Sequence, residues 1–213
     1  MAIRNAIRRL GGASLIEFMI AALVGAMALG IVGSVFISSQ RSAAQRSQEI
    51  LLLQNMTNVL QVMKEDLYQA GYGGVQRKSV LLSGATRVVH TEVTPPLLGY
   101  VYQVMSGASS AYRNVVYRQQ SAAGGTTELK LCEKQQPVPL SVASAADSGF
   151  SGNCYSLFDA RQISVMAFSA RTETLVSDRV SGAVTTVSLT AALTQNPSVS
   201  QSLSFHIQQR NWQ

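Results

Sequence analysis

One carboxylate inside a long apolar run is the side chain best placed for chemistry in this sequence. Glu17 is the sole ionisable residue between Ala13 and Ile37. Facing lipid alone it would cost on the order of 3 kcal/mol, so it calls for a cationic partner and its chemistry is ion pairing. Cys132 and Cys154 are the only thiols. Both fall in the segment expected outside the cytoplasm, where a pair of thiols is most simply one disulfide, contributing about 3 kcal/mol through loop closure. A zinc site would need more ligands, because His90 and His206 are far apart and no Cys-x-x-Cys is present. A calcium site on Asp147 and Asp159 lacks the dense Asp/Asn/Gly spacing such sites use. The chain also has no Gly-x-Ser-x-Gly, no phosphate loop and no His-Glu-x-x-His. Neither catalysis nor a metal or other cofactor is expected, and both histidines read as surface residues.

The element that must carry Glu17 is a helix. Twenty-five helical residues from Ala13 rise about 37 Å, enough to cross a hydrocarbon core of roughly 30 Å with some tilt. Arg4, Arg8 and Arg9 precede this run and hold the N-terminus in the cytoplasm by the positive-inside rule. An ordinary secretory signal fits poorly, since the apolar run is too long for an h-region and Gly11-Gly12 comes before it rather than after. A plain single-pass anchor would leave Glu17 unexplained.

The stretch Arg8-Arg9-Leu10-Gly11-Gly12-Ala13-Ser14-Leu15-Ile16-Glu17 resembles the signal of type IV prepilins. That resemblance implies a cut by prepilin peptidase between Gly12 and Ala13, N-methylation of Ala13, and a role for Glu17, fifth in the mature chain, in subunit assembly. In the family the Glu pairs with the N-terminal amine of a neighbouring subunit, which supplies the cation that burial in lipid demands. Two features depart from the pattern. Ala13 stands where most pilins have Phe, and the helix lacks an internal proline, with Gly25, Gly30 and Gly33 available to soften it.

The same helix is expected to continue to about Ala70. Past Ile37 the sequence turns polar, then carries Leu52, Leu53, Met56, Val59, Leu60, Met63 and Leu67 at steps of three and four, with Gln54, Asn55, Gln61, Lys64 and Glu65 on the other side. Gly71, Gly73 and Gly74 end it. Ala70-Gly71-Tyr72 is similar to the helix end of PilW-type minor pilins, as is the exit Phe36-Ile37-Ser38-Ser39, and Arg210-Asn211 is similar to the close of their last strand. Tyr72 is expected to pack over the helix end.

From Val75 onward apolar residues alternate, giving antiparallel strands over 85–93, 98–105, 112–119, around Leu129–Leu131, around Ile163–Ala167, and a hairpin over 183–208 turning at Asn196-Pro197. The region from Gln136 to Asp159 reads as a loop tethered by its marginal cysteines. The fold class expected is α+β and pilin-like: a long N-terminal helix, half transmembrane and half amphipathic, packed on an antiparallel sheet. The segments are a leader 1–12, a transmembrane and filament-core helix 13–37, its amphipathic half 38–70, and a β-rich periplasmic domain 71–213.

Net charge is +6, and it falls to +3 without the three leader arginines, so direct nucleic-acid binding is not expected. The resemblance implies a minor pilin that primes pilus assembly or forms the tip. Its partners would be prepilin peptidase, other minor and major pilins and the inner-membrane assembly platform. A J-type pseudopilin of type II secretion and a membrane-anchored periplasmic binding domain are the alternatives.

Overall fold

The computed structural model describes residues 14–74, 78–105, 111–121, 125–176 and 181–211, with the side chains of Val176 and Ser181 left aside. Contacts divide the chain into two compact units after Ser47, inside the expected amphipathic segment. Helix α1 (Leu15–Leu67) supplies the described part of the first unit and enters the second. It is long and apolar enough to cross a membrane, and none of its most apolar window is buried.

In the second unit α1 buries Leu52, Met56, Leu60, Met63, Asp66 and Leu67. Apart from Asp66 these lie on the expected stripe; of its other members Val59 is half-buried and Leu53 is 42% exposed, because Leu53 projects about 100° around the helix from Leu52. Removing Leu52, Met56 and Met63 from water contributes on the order of 2 kcal/mol each. The helix ends at Leu67, three residues earlier than expected, and turns through to Gly71.

Eight strands follow: β1 (His90–Val93), β2 (Pro96–Gln103), β3 (Tyr112–Ser121), β4 (Thr127–Gln136), β5 (Tyr155–Ser156), β6 (Ile163–Val176), β7 (Ser181–Leu193) and β8 (Ser200–Gln208). The run 85–93 is a strand only in its last four residues, and the next begins at Pro96 rather than residue 98. All pairings between these strands are antiparallel, and an isolated parallel bridge joins Ser83 to Ser141. The strands form two sheets where one was expected, in the orders β1-β2-β3-β4-β5 and β6-β7-β8. The break has a local cause. β5 is two residues long, and the Asp159 carbonyl then accepts from the amides of Gln162 (2.9 Å) and Ile163 (2.8 Å), redirecting the chain into β6.

Alternation along β2 explains how the five-stranded sheet is covered on both faces. Leu98, Tyr100 and Tyr102 join the main core with α1, β6 and β7, whereas Leu97 and Val101 join Val116, Cys132, Ala145 and Ala146 on the opposite face. The region from Gln136 to Asp159 is therefore more than a loop. It contains helix α2 (Val142–Ala146), capped by Ser141, whose hydroxyl accepts from the Ser144 amide at 3.2 Å. The Lys134 ammonium donates to the Ser144 carbonyl at 2.5 Å near the end of α2 and pairs with Asp147.

Candidate functional site

The helix start is built by four residues. The Ser14 carbonyl accepts from the amides of Glu17 (2.9 Å) and Phe18 (3.1 Å), its hydroxyl accepts from the Ile16 amide at 3.4 Å, and the Glu17 carboxylate accepts from the Ser14 amide at 3.4 Å. Ser14 caps the helix, and the Glu17 carboxylate reaching back to its amide is the reciprocal half of a capping box. The spacing Ser-x-x-Glu was readable in the sequence and carries this second duty of Glu17. A negative charge here also complements the helix dipole. Gly12 and Ala13, the expected cleavage and methylation positions, lie outside the described residues.

Around Glu17 the helix surface is apolar and uncovered: Phe18 is 72% exposed and Leu29 76%. Glycines 25, 30 and 33 have nothing within 4 Å of where a Cβ would sit. What this segment can do chemically is associate with lipid or with other apolar helices, carrying one carboxylate into that contact.

Within the second unit, the end of α1 holds a polar cluster that apolar periodicity does not mark. Asp66 lies on the apolar stripe, three residues beyond Met63. Its carboxylate accepts from Tyr100 Oη (2.5 Å), Tyr102 Oη (2.7 Å) and Arg113 Nη1 (3.1 Å), and Arg113 Nη2 reaches Glu133 at 2.6 Å. Arg113 Nη1 also donates to Tyr102 Oη at 2.5 Å. Register places these groups together, since Tyr100 and Tyr102 share a face of β2, Tyr102 pairs with Arg113, and Val115 pairs with Glu133. Burial pushes the Tyr100 phenol well above its ordinary range, and the Asp66 charge adds to this. Tyr102 is raised by burial and by its hydrogen bond to Asp66. Burial acts to lower Arg113, but its bond to Glu133 and the charge of Asp66 more than offset that, so its pKa rises. The one signal in the sequence is an acid at a stripe position; that it meets Tyr100 and Tyr102 depends on strand register.

Beside this cluster the chain closes on itself. Asn211 Nδ2 donates to the Ala70 carbonyl at 3.1 Å, Ser79 Oγ donates to the Asn211 carbonyl at 2.7 Å, and the Arg210 guanidinium sits 5.0 Å from the Tyr68 ring centroid. The two short motifs singled out in the sequence, Ala70-Gly71-Tyr72 and Arg210-Asn211, thus meet in space. Tyr72 itself is 48% exposed; Tyr68 is the aromatic covered by Arg210.

Cys132 and Cys154 are bridged, tying the segment that bears α2 to the second face of the five-stranded sheet. His90 bonds Glu92 at 2.9 Å and His206 bonds Thr186 at 2.8 Å on the exposed side of β8. Asp147 pairs with Lys134, which lowers its pKa, while Asp159 accepts from the Arg161 amide at 2.9 Å, so the two acids serve separate turns.

A family model described as "Prepilin peptidase-dependent protein B" matches residues 45–209. No curated protein and no solved structure shows a significant match.

Proposed function

Since the chain belongs to the prepilin peptidase-dependent protein B family, we propose that it is a minor pilin of PilW type, a non-enzymatic subunit that primes type IV pilus assembly or forms the pilus tip. Prepilin peptidase cuts it between Gly12 and Ala13 and methylates Ala13. The apolar N-terminal helix fits a single-pass anchor in the inner membrane, with residues 71–213 in the periplasm until the subunit passes into the filament. Adhesion, twitching motility and DNA uptake are the activities such a filament serves.

The observation that carries this reading is Glu17, the one ionisable side chain of the uncovered apolar run up to Ile37, held at the helix start close in sequence to the expected cut. Cleavage there creates an amine one residue before the Ser14 amide that Glu17 already reaches. The amine of a neighbouring subunit would satisfy the carboxylate in the same place and fix axial register, while apolar helix faces supply most of the packing. Support from the signal (Arg8 to Glu17) and from the family match (45–209) comes from residues that do not overlap. The resemblance of Ala70-Gly71-Tyr72 and Arg210-Asn211 to PilW-type minor pilins is what favours that type over the J-type pseudopilin.

Glu17→Ala tests the assembly role. The variant is expected to insert in the membrane and be processed, yet to be absent from sheared filaments and from complexes with other minor pilins. Incorporation at the wild-type level would remove the pairing role.

A further inference from the structure

Two sheets have four edges, and three of them are guarded. β1 has four residues, including His90 and Glu92, and is followed by Pro95. β5 has two residues. β6 carries a register shift between Val165 and Ala167 and the charged pair Arg171 and Glu173. Shortness, bulges and charge are the usual means of keeping a strand edge from recruiting another chain. β8 has none of them. Its nine residues, Ser-Gln-Ser-Leu-Ser-Phe-His-Ile-Gln, include no Lys, Arg, Asp, Glu, Pro or Gly.

The unpaired groups on that edge can be assigned. The Gln209 amide donates to the Ala183 carbonyl at 2.9 Å and the Leu193 amide to the Val199 carbonyl at 3.0 Å. Odd-numbered residues therefore direct their backbone groups to β7, and Ser202, Ser204 and His206 direct theirs outward. Among the described residues, β8 pairs with β7 alone. Next to the edge runs a groove of about 230 Å³ lined by Thr57, Leu60, Gln61 and Lys64 of α1 and by Leu203, Ser204 and Phe205 of β8. Lys64 forms no ion pair among the described residues, while its neighbour Glu65 is bonded by Gln61 at 2.6 Å.

We propose that the outer edge of β8 is a strand-addition site for another subunit. The occupant is an extended segment with apolar residues at every second position, seated over Leu60, Leu203 and Phe205, and with a carboxylate that meets Lys64. Backbone pairing to Ser202, Ser204 and His206 supplies affinity, and the groove with its single cation supplies selection. A second copy of β8 is disfavoured because it brings no acid of its own to Lys64. The identity of the partner as another pilin-type subunit rests on the function proposed above.

A photo-crosslinking residue at Ser202 in the full chain, expressed in membranes with the other minor pilins, tests this, with the same probe at Arg171 and at Phe36 for comparison. The expected product from Ser202 is a crosslink to an acidic, strand-forming segment of a different subunit. Ser204→Pro removes an outward amide without touching the β7 ladder and should cut the yield about tenfold, the loss of roughly 1.4 kcal/mol. Lys64→Glu leaves the strand intact and should cut it several-fold, with unchanged melting showing that the fold survives. A crosslink to a second β8, a yield no higher than from Arg171, or full yield from both variants would overturn the proposal. If Phe36 crosslinks to other subunits and Ser202 does not, the edge proposal falls and the pilin reading stands. If neither position does, both fall.

Discussion

The side-chain amide of Asn211 donates to the carbonyl of Ala70 at 3.1 Å, so the end of the chain satisfies a backbone acceptor just past the last turn of the long helix. Gly71 makes this approach possible. It has φ +75°, and a Cβ there would lie 2.5 Å from Val88 Cγ1 and 2.7 Å from the Asn211 carbonyl oxygen.

Gly71→Ala should therefore cost about 2–4 kcal/mol, from the left-handed backbone and from overpacking together. Asn211→Ala should cost less, about 1 kcal/mol, because one side-chain hydrogen bond is lost with no change in backbone conformation. Chemical denaturation of both variants checks the order; equal midpoints for Gly71→Ala and wild type would contradict the close approach.

Asp66 makes the second prediction. Asp66→Ala leaves two buried phenols and the Arg113 guanidinium without their shared acceptor, and should destabilise by about 2–4 kcal/mol. The figure is kept below that of a fully buried pair because the Arg113 side chain is 28% exposed. Tyr102→Phe, which deletes one donor and leaves the carboxylate two others, should cost clearly less. Reversal of that order in denaturant melts would mean Asp66 is not the hub.

Alkaline pH should expose the same cluster. Tyr100, Tyr102 and Tyr117 are all raised above the ordinary value of 10, chiefly by burial, with the Asp66 charge among the further causes for each. A raised pKa means their contribution to stability is complete below pH 10 and is lost as pH climbs through the folded values. The phenolate absorbance of these three, assigned by difference against Phe variants, should appear only where the fold is lost. Their ionisation in the intact fold near pH 10 would contradict the burial.

Reduction of Cys132–Cys154 frees a segment of sequence separation 22 and should lower stability by about 3 kcal/mol. Cys132→Ser should lose first the packing of Ala145 and Ala146, seen as faster amide exchange across α2. Equal melting of oxidised and reduced protein would show that the strap contributes nothing.

How much of this was legible in the sequence depends on what each feature rests on. The buried stripe from Leu52 to Leu67 and the β7–β8 hairpin turning at Asn196-Pro197 follow from periodicity and turn chemistry, which are local. Leu53 was misplaced because four consecutive apolar residues, Ile50 to Leu53, blur the angle of the stripe. The division into two sheets was not legible, since it hinges on β5 being two residues long and on a turn at Asp159. The disulfide was anticipated because only two cysteines exist, whereas the Asp66 cluster depends on the register that sets Tyr102 beside Arg113 and Val115 beside Glu133. Pairings across 34 to 47 residues leave no mark in a local pattern.

The most direct test of the pilin reading is the intact mass of the membrane-extracted chain from cells with and without prepilin peptidase. Peptidase-dependent loss of Met1 to Gly12 with one methyl added on Ala13 is the expected result. An unchanged N-terminus, or a cut after the apolar run, would contradict it.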